Sequence, residues 1–349
     1  MAVSARADLG QVGNNMTTAG ARSTAGRSSG TAARRAGLII NPKSGKSNGK
    51  GLALAGMLGN GVPVKVMAQF SDLRPHLEAL AHDGVADLFI SSGDGTAQAI
   101  LTEVAERNPF VSLPRLCFLP HGTTNLSGPD VGFRSRSFEA QAAVLRKPEP
   151  QKIVERATVR AVNCGDGLVR HGMFVGTGAV AEATLFCQQE FNAMGVKGSY
   201  AAFATLAGAV GKSLFSGPAA PGDVTRLDRP FPVSLSSGGH RVTEGDQLLI
   251  MATTLETLIL GTRPFWNRTE GAIRCTSIPY PVPSVLRWML PVMYGGDQRR
   301  TPPGCHSLTA HTVEISSRSM FVIDGEFFDA PKDGPLRVET GPVFGFIRA

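Results

Sequence analysis

The sequence predicts an α/β domain built on a parallel sheet, followed by a β-rich domain. Three features carry that expectation. Short apolar strands alternate with amphipathic helices over about 110 residues from Ala36. A Pro-rich break, Pro148-Glu149-Pro150, follows them. Beyond the break strands dominate, with two helical insertions. At roughly 150 residues per domain, a chain of 349 residues suits two domains.

The elements are read in order. Ala36–Ile40 is a short apolar strand that runs into a polar, Gly-rich loop, Asn41–Gly51, and a helix near Leu52–Leu58. Val62–Phe70 reads as a second strand. Ser71 is placed to cap a helix over Asp72–His82, whose Leu73, Leu77 and Leu80 share one face. Val85–Ser91 is a third strand, followed at once by Gly93-Asp94-Gly95-Thr96 and a helix over Ala97–Arg107. Arg115–Leu119 is a fourth strand and Ser137–Arg146 a further helix. Strands that alternate with helices in this way argue for a parallel sheet covered by helices.

In the second half the expected strands are Lys152–Asn163, Val169–Val175, Pro232–Ser236, Arg241–Thr243 and Gln247–Thr254. Ser237-Gly238-Gly239-His240 has the composition of a hairpin turn. The helical insertions are Ala179–Ala193 and Gly198–Leu214. Val338–Arg348 closes the chain as a strand.

Chemistry concentrates in three loops. A strand that ends in glycines and opens a helix aims backbone N–H groups at one point, and the helix dipole adds partial positive charge there; this suits phosphate. Gly93-Asp94-Gly95-Thr96 is such a turn, and Asp94 has the chemistry to hold a metal ion or orient a hydroxyl. Taken alone, the string also fits a plain tight turn. Asn41-Pro42-Lys43-Ser44-Gly45-Lys46 follows the first strand, and Pro120-His121-Gly122-Thr123-Thr124-Asn125 follows the fourth. In an open parallel sheet the loops at the carboxyl ends of strands share one edge, where ligands bind. Three such loops together read as a nucleotide cradle. A Walker-type loop is excluded: Gly45-Lys46-Ser47 and Gly211-Lys212-Ser213 both end correctly, but Ile40 and Leu206 stand where the first Gly belongs.

In this order the loops resemble the diacylglycerol kinase catalytic-domain family, which includes sphingosine and ceramide kinases. The first matches Asn-Pro-x-Ser-Gly. The second matches Gly-Gly-Asp-Gly-Thr, with Ser92 in place of the first Gly, and the third matches Pro-x-Gly-Thr-x-Asn. The likeness runs on through Val175–Ala181, through Lys197-Gly198-x-Tyr200 and through Asp324-Gly325-Glu326.

The resemblance implies an N-terminal Rossmann-like, three-layer α/β nucleotide domain (36–150), a β-sandwich-like lipid domain (151–335), and an active site in the cleft between them. Residues 336–349 are then a strand returning to the first domain. It implies an ATP-dependent kinase, using Mg²⁺, that phosphorylates the hydroxyl of a membrane lipid such as diacylglycerol. ATP is expected on Ser92, Gly93, Gly95 and Thr96, with Asn41, Ser44, Gly45, Gly122, Thr123, Asn125 and Asp324 around it. Glu326 is the expected general base, with Asp94 beside it as catalytic residue or metal ligand. Without the other motifs, Glu326 would read as a solvated hairpin carboxylate. Many relatives carry an acidic loop for a structural Mg²⁺; the corresponding stretch here is Thr269–Arg274, where Glu270 keeps one acid but Arg274 would repel a cation. NAD kinases and phosphofructokinases share a Gly-Gly-Asp-Gly loop and form one alternative; a non-catalytic nucleotide- or lipid-binding module is another.

Bulk composition agrees with a peripheral role. Net charge is +7, and residues 1–35 hold five arginines against Asp8, a net +4 that leaves +3 for the body. That suits docking on anionic lipid better than coating nucleic acid. Five scattered cysteines with no CxxC pair fit a reduced, cytoplasmic compartment. No apolar run reaches the roughly 18–20 residues of a bilayer span. The first 35 residues read as a disordered basic tail, as a misplaced start with Met16 the alternative, or as a transit peptide. Leu286–Tyr294, flanked by Arg287, Arg299 and Arg300, fits equally an amphipathic lipid-contact segment and a core helix.

Overall fold

The structure is a computed structural model that describes residues 34–43, 49–122, 127–147, 152–194, 226, 229–258, 261–282 and 285–348. The first half is an α/β sandwich. In chain order it contains β1 (Arg35–Ile40), α1 (Lys50–Leu58), β2 (Val64–Val66), α2 (Leu73–His82), β3 (Val85–Ser91), α3 (Asp94–Arg107), β4 (Arg115–Phe118), α4 (Gly128–Val131) and α5 (Phe138–Arg146). The strands pair in parallel in the order β2-β1-β3-β4, with Leu38 opposite Val64, Ile39 opposite Ile90 and Leu88 opposite Leu116.

Period-two alternation divides the strand residues between two cores. Ile39, Leu88 and Ile90 face Leu77, Leu80, Ile100 and Val104 of α2 and α3. Leu38, Ile40 and Phe89 face Leu54, Leu58 and Leu145 of α1 and α5. Both faces are covered, which is why these strands read as unbroken apolar runs. Each fully buried leucine contributes about 1.5–3 kcal/mol relative to exposure.

The second half is β-rich. It comprises β5 (Lys152–Val162), β6 (Arg170–Gly172), β7 (Phe174–Gly178), α6 (Ala179–Met194), β8 (Phe231–Ser237), β9 (His240–Thr253), β10 (Ile273–Pro279), α7 (Val285–Met293), β11 (His306–Ala310), β12 (Thr312–Ser317), β13 (Phe321–Ile323), β14 (Glu326–Phe328) and β15 (Leu336–Arg348). Gly238 and Gly239, at φ 57° and 78°, form the expected hairpin turn between β8 and β9; two positive φ values match the right-handed strand twist. β15 runs antiparallel to β5 and β12 and pairs in parallel with β4 at Phe346 and Leu116. It thereby joins both halves into one 15-stranded sheet among the described residues.

Several local expectations are corrected. β2 is three residues long, not nine, and Ser71 caps nothing. α2 instead follows a 3-10 turn over Phe70–Asp72, where the Asp72 carboxylate accepts the amides of Ala68 and Gln69 at 2.8 and 2.9 Å. The two strands expected at Arg241–Thr243 and Gln247–Thr254 are one, because the polar Glu244-Gly245-Asp246 is an exposed stretch of β9 and not a loop. Conversely, Val169–Val175 breaks at Met173, whose amide bonds to a carboxylate instead of the ladder. The Pro148–Pro150 break and the helix expected at Gly198–Leu214 lie outside the described residues.

Candidate active site

The carboxyl ends of β1, β3 and β4 meet on one edge. Asn41, the first residue after β1, donates its amide to Ser91 O at 3.0 Å. Its side chain then bridges loops: Nδ2 donates to Thr96 Oγ1 at 2.8 Å, and Oδ1 accepts the Lys43 amide at 3.0 Å. Helix α3 starts three residues earlier than expected. Gly93 is its extended N-cap, and Asp94, Gly95 and Thr96 form its first turn. The first intrahelical bond runs from the Ala97 amide to Gly93 O, so the amides of Gly95 and Thr96 precede it at the positive end of the dipole, where Asp94 is also favoured.

The third loop is anchored by a residue to which sequence reasoning gave no role. His121 is buried, with Nδ1 2.8 Å from Ser91 Oγ and Nε2 3.1 Å from Gln141 Oε1. An amide oxygen only accepts, so Nε2 carries the proton and Nδ1 accepts from the Ser91 hydroxyl. Burial pushes the imidazole pKa down to about 4, and a neutral ring is what both partners require. A lone histidine inside a Gly/Thr loop was the available signal. A small cleft lies among these loops, lined by Ser92, Gly93, Asp94, Pro120, Ser127 and Gly132.

The turn between β13 and β14 lies against the start of α3. Asp324 adopts φ 47°, the left-handed conformation that Asp tolerates better than most residues. It is buried, and its carboxylate accepts the amides of Met173 (2.9 Å) and Phe174 (2.9 Å). Burial raises its pKa to about 7; the charge of nearby Asp94 pushes the same way, against the two amide donors. Asp324, expected among the nucleotide contacts, therefore has its carboxylate turned onto backbone. Its position fixes the turn that presents Glu326.

Glu326 is exposed at the start of β14 and its carboxyl group lies against Gly95. A Cβ built on Gly95 would stand 2.6 Å from Glu326 Cδ and overlap Oε1. A side chain there would push the Glu326 carboxyl group from its place. Two residues some 230 positions apart in sequence, Gly95 and Glu326, are thus in contact, with Asp94 close enough to act on Asp324.

Hydrogen bonds tie α3 to β5 and β6. Gln98 and Thr102 of α3 bond to the His171 backbone of β6 at 3.0 and 2.9 Å. Glu106 of α3 pairs with the His171 ring (2.7 Å) and with Arg160 of β5 (3.1 Å). Near the cleft, Asp130 receives Arg156 through two bonds, at 3.0 and 3.2 Å, and the Glu256 amide at 3.0 Å.

Gly122 is described at the end of the third loop; Ser44, Gly45, Thr123 and Asn125 lie outside the described residues. Glu270 is exposed in a loop, and Arg274 points to Glu256 at 3.9 Å. Among the described residues no three His, Cys, Asp or Glu side chains group to hold a metal, Glu270 included. Asp94 is different: Mg²⁺ in phosphoryl transfer is commonly held by one or two carboxylates plus phosphate oxygens, and Asp94 at the helix start fits such a site.

The start of α3 thus lies on one sheet edge beside the loops that follow β1 and β4. Residues 35–155 match the family model of the diacylglycerol kinase catalytic domain. The match spans β1 through the start of β5, including all three loops. Among solved structures, a diacylglycerol kinase from Bacillus anthracis superposes with a TM-score of 0.56 at 15% identity, over 90% of this chain and 97% of its own. A second Bacillus anthracis structure, described as a candidate diacylglycerol kinase, gives 0.57 at 17% identity over 90% and 97%. At that identity the likeness establishes a shared two-domain fold that extends beyond the matched domain into the β-rich half. No curated protein matches the chain at a significant level.

Proposed function

We propose that this chain is an ATP-dependent lipid kinase, transferring the γ-phosphate to the hydroxyl of a membrane lipid such as diacylglycerol. One observation carries the reading: the Glu326 carboxylate lies against Gly95 in the first turn of α3. A phosphate site and a solvent-accessible base share one crevice. Residues 36–150 would bind ATP, residues 151–335 would hold the lipid, and 336–349 would return to the first domain.

The triphosphate rests at the α3 N-terminus, on the backbone of Ser92–Thr96. The Asn41–Thr96 bond holds the first loop against it. The lipid hydroxyl attacks the γ-phosphorus in line; its proton passes to Glu326 as the new O–P bond forms and ADP departs. A positioned base contributes ~10²–10⁴-fold. Bound Mg²⁺ would supply charge neutralisation of the phosphates, with Asp94 as the protein ligand. Asp324 positions Glu326 through the turn and does not touch the reactants. The chain would work in the cytoplasm at a membrane surface; among the described residues no helix is long and apolar enough to cross a bilayer.

The test is transfer of labelled γ-phosphate to a total lipid extract, with NAD and fructose 6-phosphate as parallel acceptors and Glu326→Gln as control. Label in an organic-soluble phosphomonoester, lost in the variant, supports the reading. Label in NAD or the sugar, or none transferred, removes it.

A further inference from the structure

We propose that residues 261–282 and 285–302, centred on α7, form a docking surface for an anionic lipid bilayer. The surface rests on the lipid-kinase reading only in its choice of partner; its evidence is separate.

Charge is the first observation. The segment holds six arginines against Glu270 and Asp297, a net +4. The body from residue 36 onward carries +3 in all, so the rest of it is slightly acidic. The body's positive excess is thus gathered in about one eighth of its length. Arg263, Arg268, Arg287, Arg299 and Arg300 are all exposed.

Shape is the second. The core-helix alternative fails for the face of α7 that carries positions 287, 290 and 294. Spacings of three and four place these on one side of a helix, and Arg287, Leu290 and Tyr294 are exposed, Leu290 by 61% and Tyr294 by 39%. The Tyr294 amide donates to Leu290 O at 2.9 Å, which keeps Tyr294 in helical register past the last turn. Arg299 Nη1 donates to Tyr294 O at 2.6 Å, and the Arg263 amide donates to Met293 O at 2.9 Å. An exposed leucine and tyrosine therefore share a helix face with Arg287, beside Arg299 and the Arg263 backbone. Leucine inserts among acyl chains, tyrosine rests at headgroup depth, and arginines meet the phosphates. Nucleic acid would engage the arginines but has no use for an exposed leucine.

Location is the third. The Thr254 amide donates to Met173 O, and the Met173 amide bonds to Asp324. Arg263 comes nine residues later, with Nε 3.3 Å from Thr257 Oγ1. Through Thr257 and Thr254 the basic segment is thus tied to Met173, whose amide holds Asp324, two residues from Glu326.

The experiment is sedimentation of the full chain with vesicles of phosphatidylcholine alone or mixed with phosphatidylglycerol, at low and high salt. Binding is expected to the mixed vesicles and to weaken with salt. The combined Arg287→Glu, Arg299→Glu and Arg300→Glu variant should lose at least about tenfold in affinity, and Leu290→Asp should also bind less tightly. All four positions are exposed, and circular dichroism verifies their fold. Equal binding of variants and wild type, no binding to either vesicle, or a preference for DNA over the mixed vesicles overturns the assignment. Vesicle binding without phosphoryl transfer to any acceptor would remove the kinase reading and leave the surface. Transfer to a short-chain soluble diacylglycerol without vesicle binding would do the reverse.

Discussion

The Glu326 carboxyl group fills the space where a side chain at Gly95 would stand. Glu326 and the first turn of α3 are therefore in contact, so a change at one acts on the other.

Gly95→Ala separates structure from activity. Alanine in a helix is favoured over glycine by about 1 kcal/mol, so folding stability should hold. The added Cβ displaces Glu326, and kcat should fall at least about tenfold toward the ~10²–10⁴-fold loss expected of Glu326→Gln. Thermal melts and labelled-phosphate turnover decide it; a fully active Gly95→Ala enzyme would remove Glu326 from the crevice chemistry.

Asn41 is expected to act on nucleotide affinity. Asn41→Ala deletes the bond to Thr96 and should raise KM for ATP about tenfold, the equivalent of one hydrogen bond worth about 1.4 kcal/mol. Asn41→Asp can still accept from the Thr96 hydroxyl but sets a negative charge beside the triphosphate, and should be worse. Steady-state KM values measure the order; an Asp variant that binds ATP as well as wild type contradicts a phosphate site here.

Asp324 and His121 give opposite pH signatures. The Asp324 carboxyl is raised from 3.8 to about 7. The folded state therefore holds its proton longer than the unfolded chain, and this contribution to stability is present below about pH 4 and lost as pH rises toward 7. Asp324→Asn should abolish that decline while lowering stability through a weaker partner for two amides. Urea titrations between pH 4 and 8 measure both effects, and an unchanged slope would show that the carboxyl titrates normally.

His121 is lowered from 6.5 to about 4. The unfolded chain binds the proton more readily, so stability is lost as pH falls through that window, by at most about 3 kcal/mol. His121→Gln keeps a buried polar group but does not titrate. Its melting temperature should be flatter than that of wild type between pH 4 and 6.5, and nuclear magnetic resonance of the wild-type ring should report the Nε2–H tautomer.

Legibility in the sequence differed by element. β3 and its following helix were evident because an apolar run ends in glycines, a local signal. The short β2 was overestimated because Val62–Phe70 has strand-like residues, while pairing with β1 extends over only three of them. His121 passed unremarked because a histidine's function depends on its neighbours, and Gln141 is 20 residues away. For Asp324, the Asp-Gly-Glu string carries no sign of where the carboxylate points, and its hold on the Met173 and Phe174 amides is visible only in the fold.

What the sequence determined alone is the order of elements, the phosphate-type turn at Gly93–Thr96 and the pattern of apolar faces; these follow from local backbone preferences and hydrophobic periodicity. Tertiary structure decided the rest. It brought Glu326 to Gly95, turned Asp324 onto the Met173 and Phe174 amides, and left Leu290 and Tyr294 on the surface. The reason is that such contacts depend on how distant strands pair in one sheet. A carboxylate's environment is set by whatever pairing brings near it, and no local stretch of sequence records that.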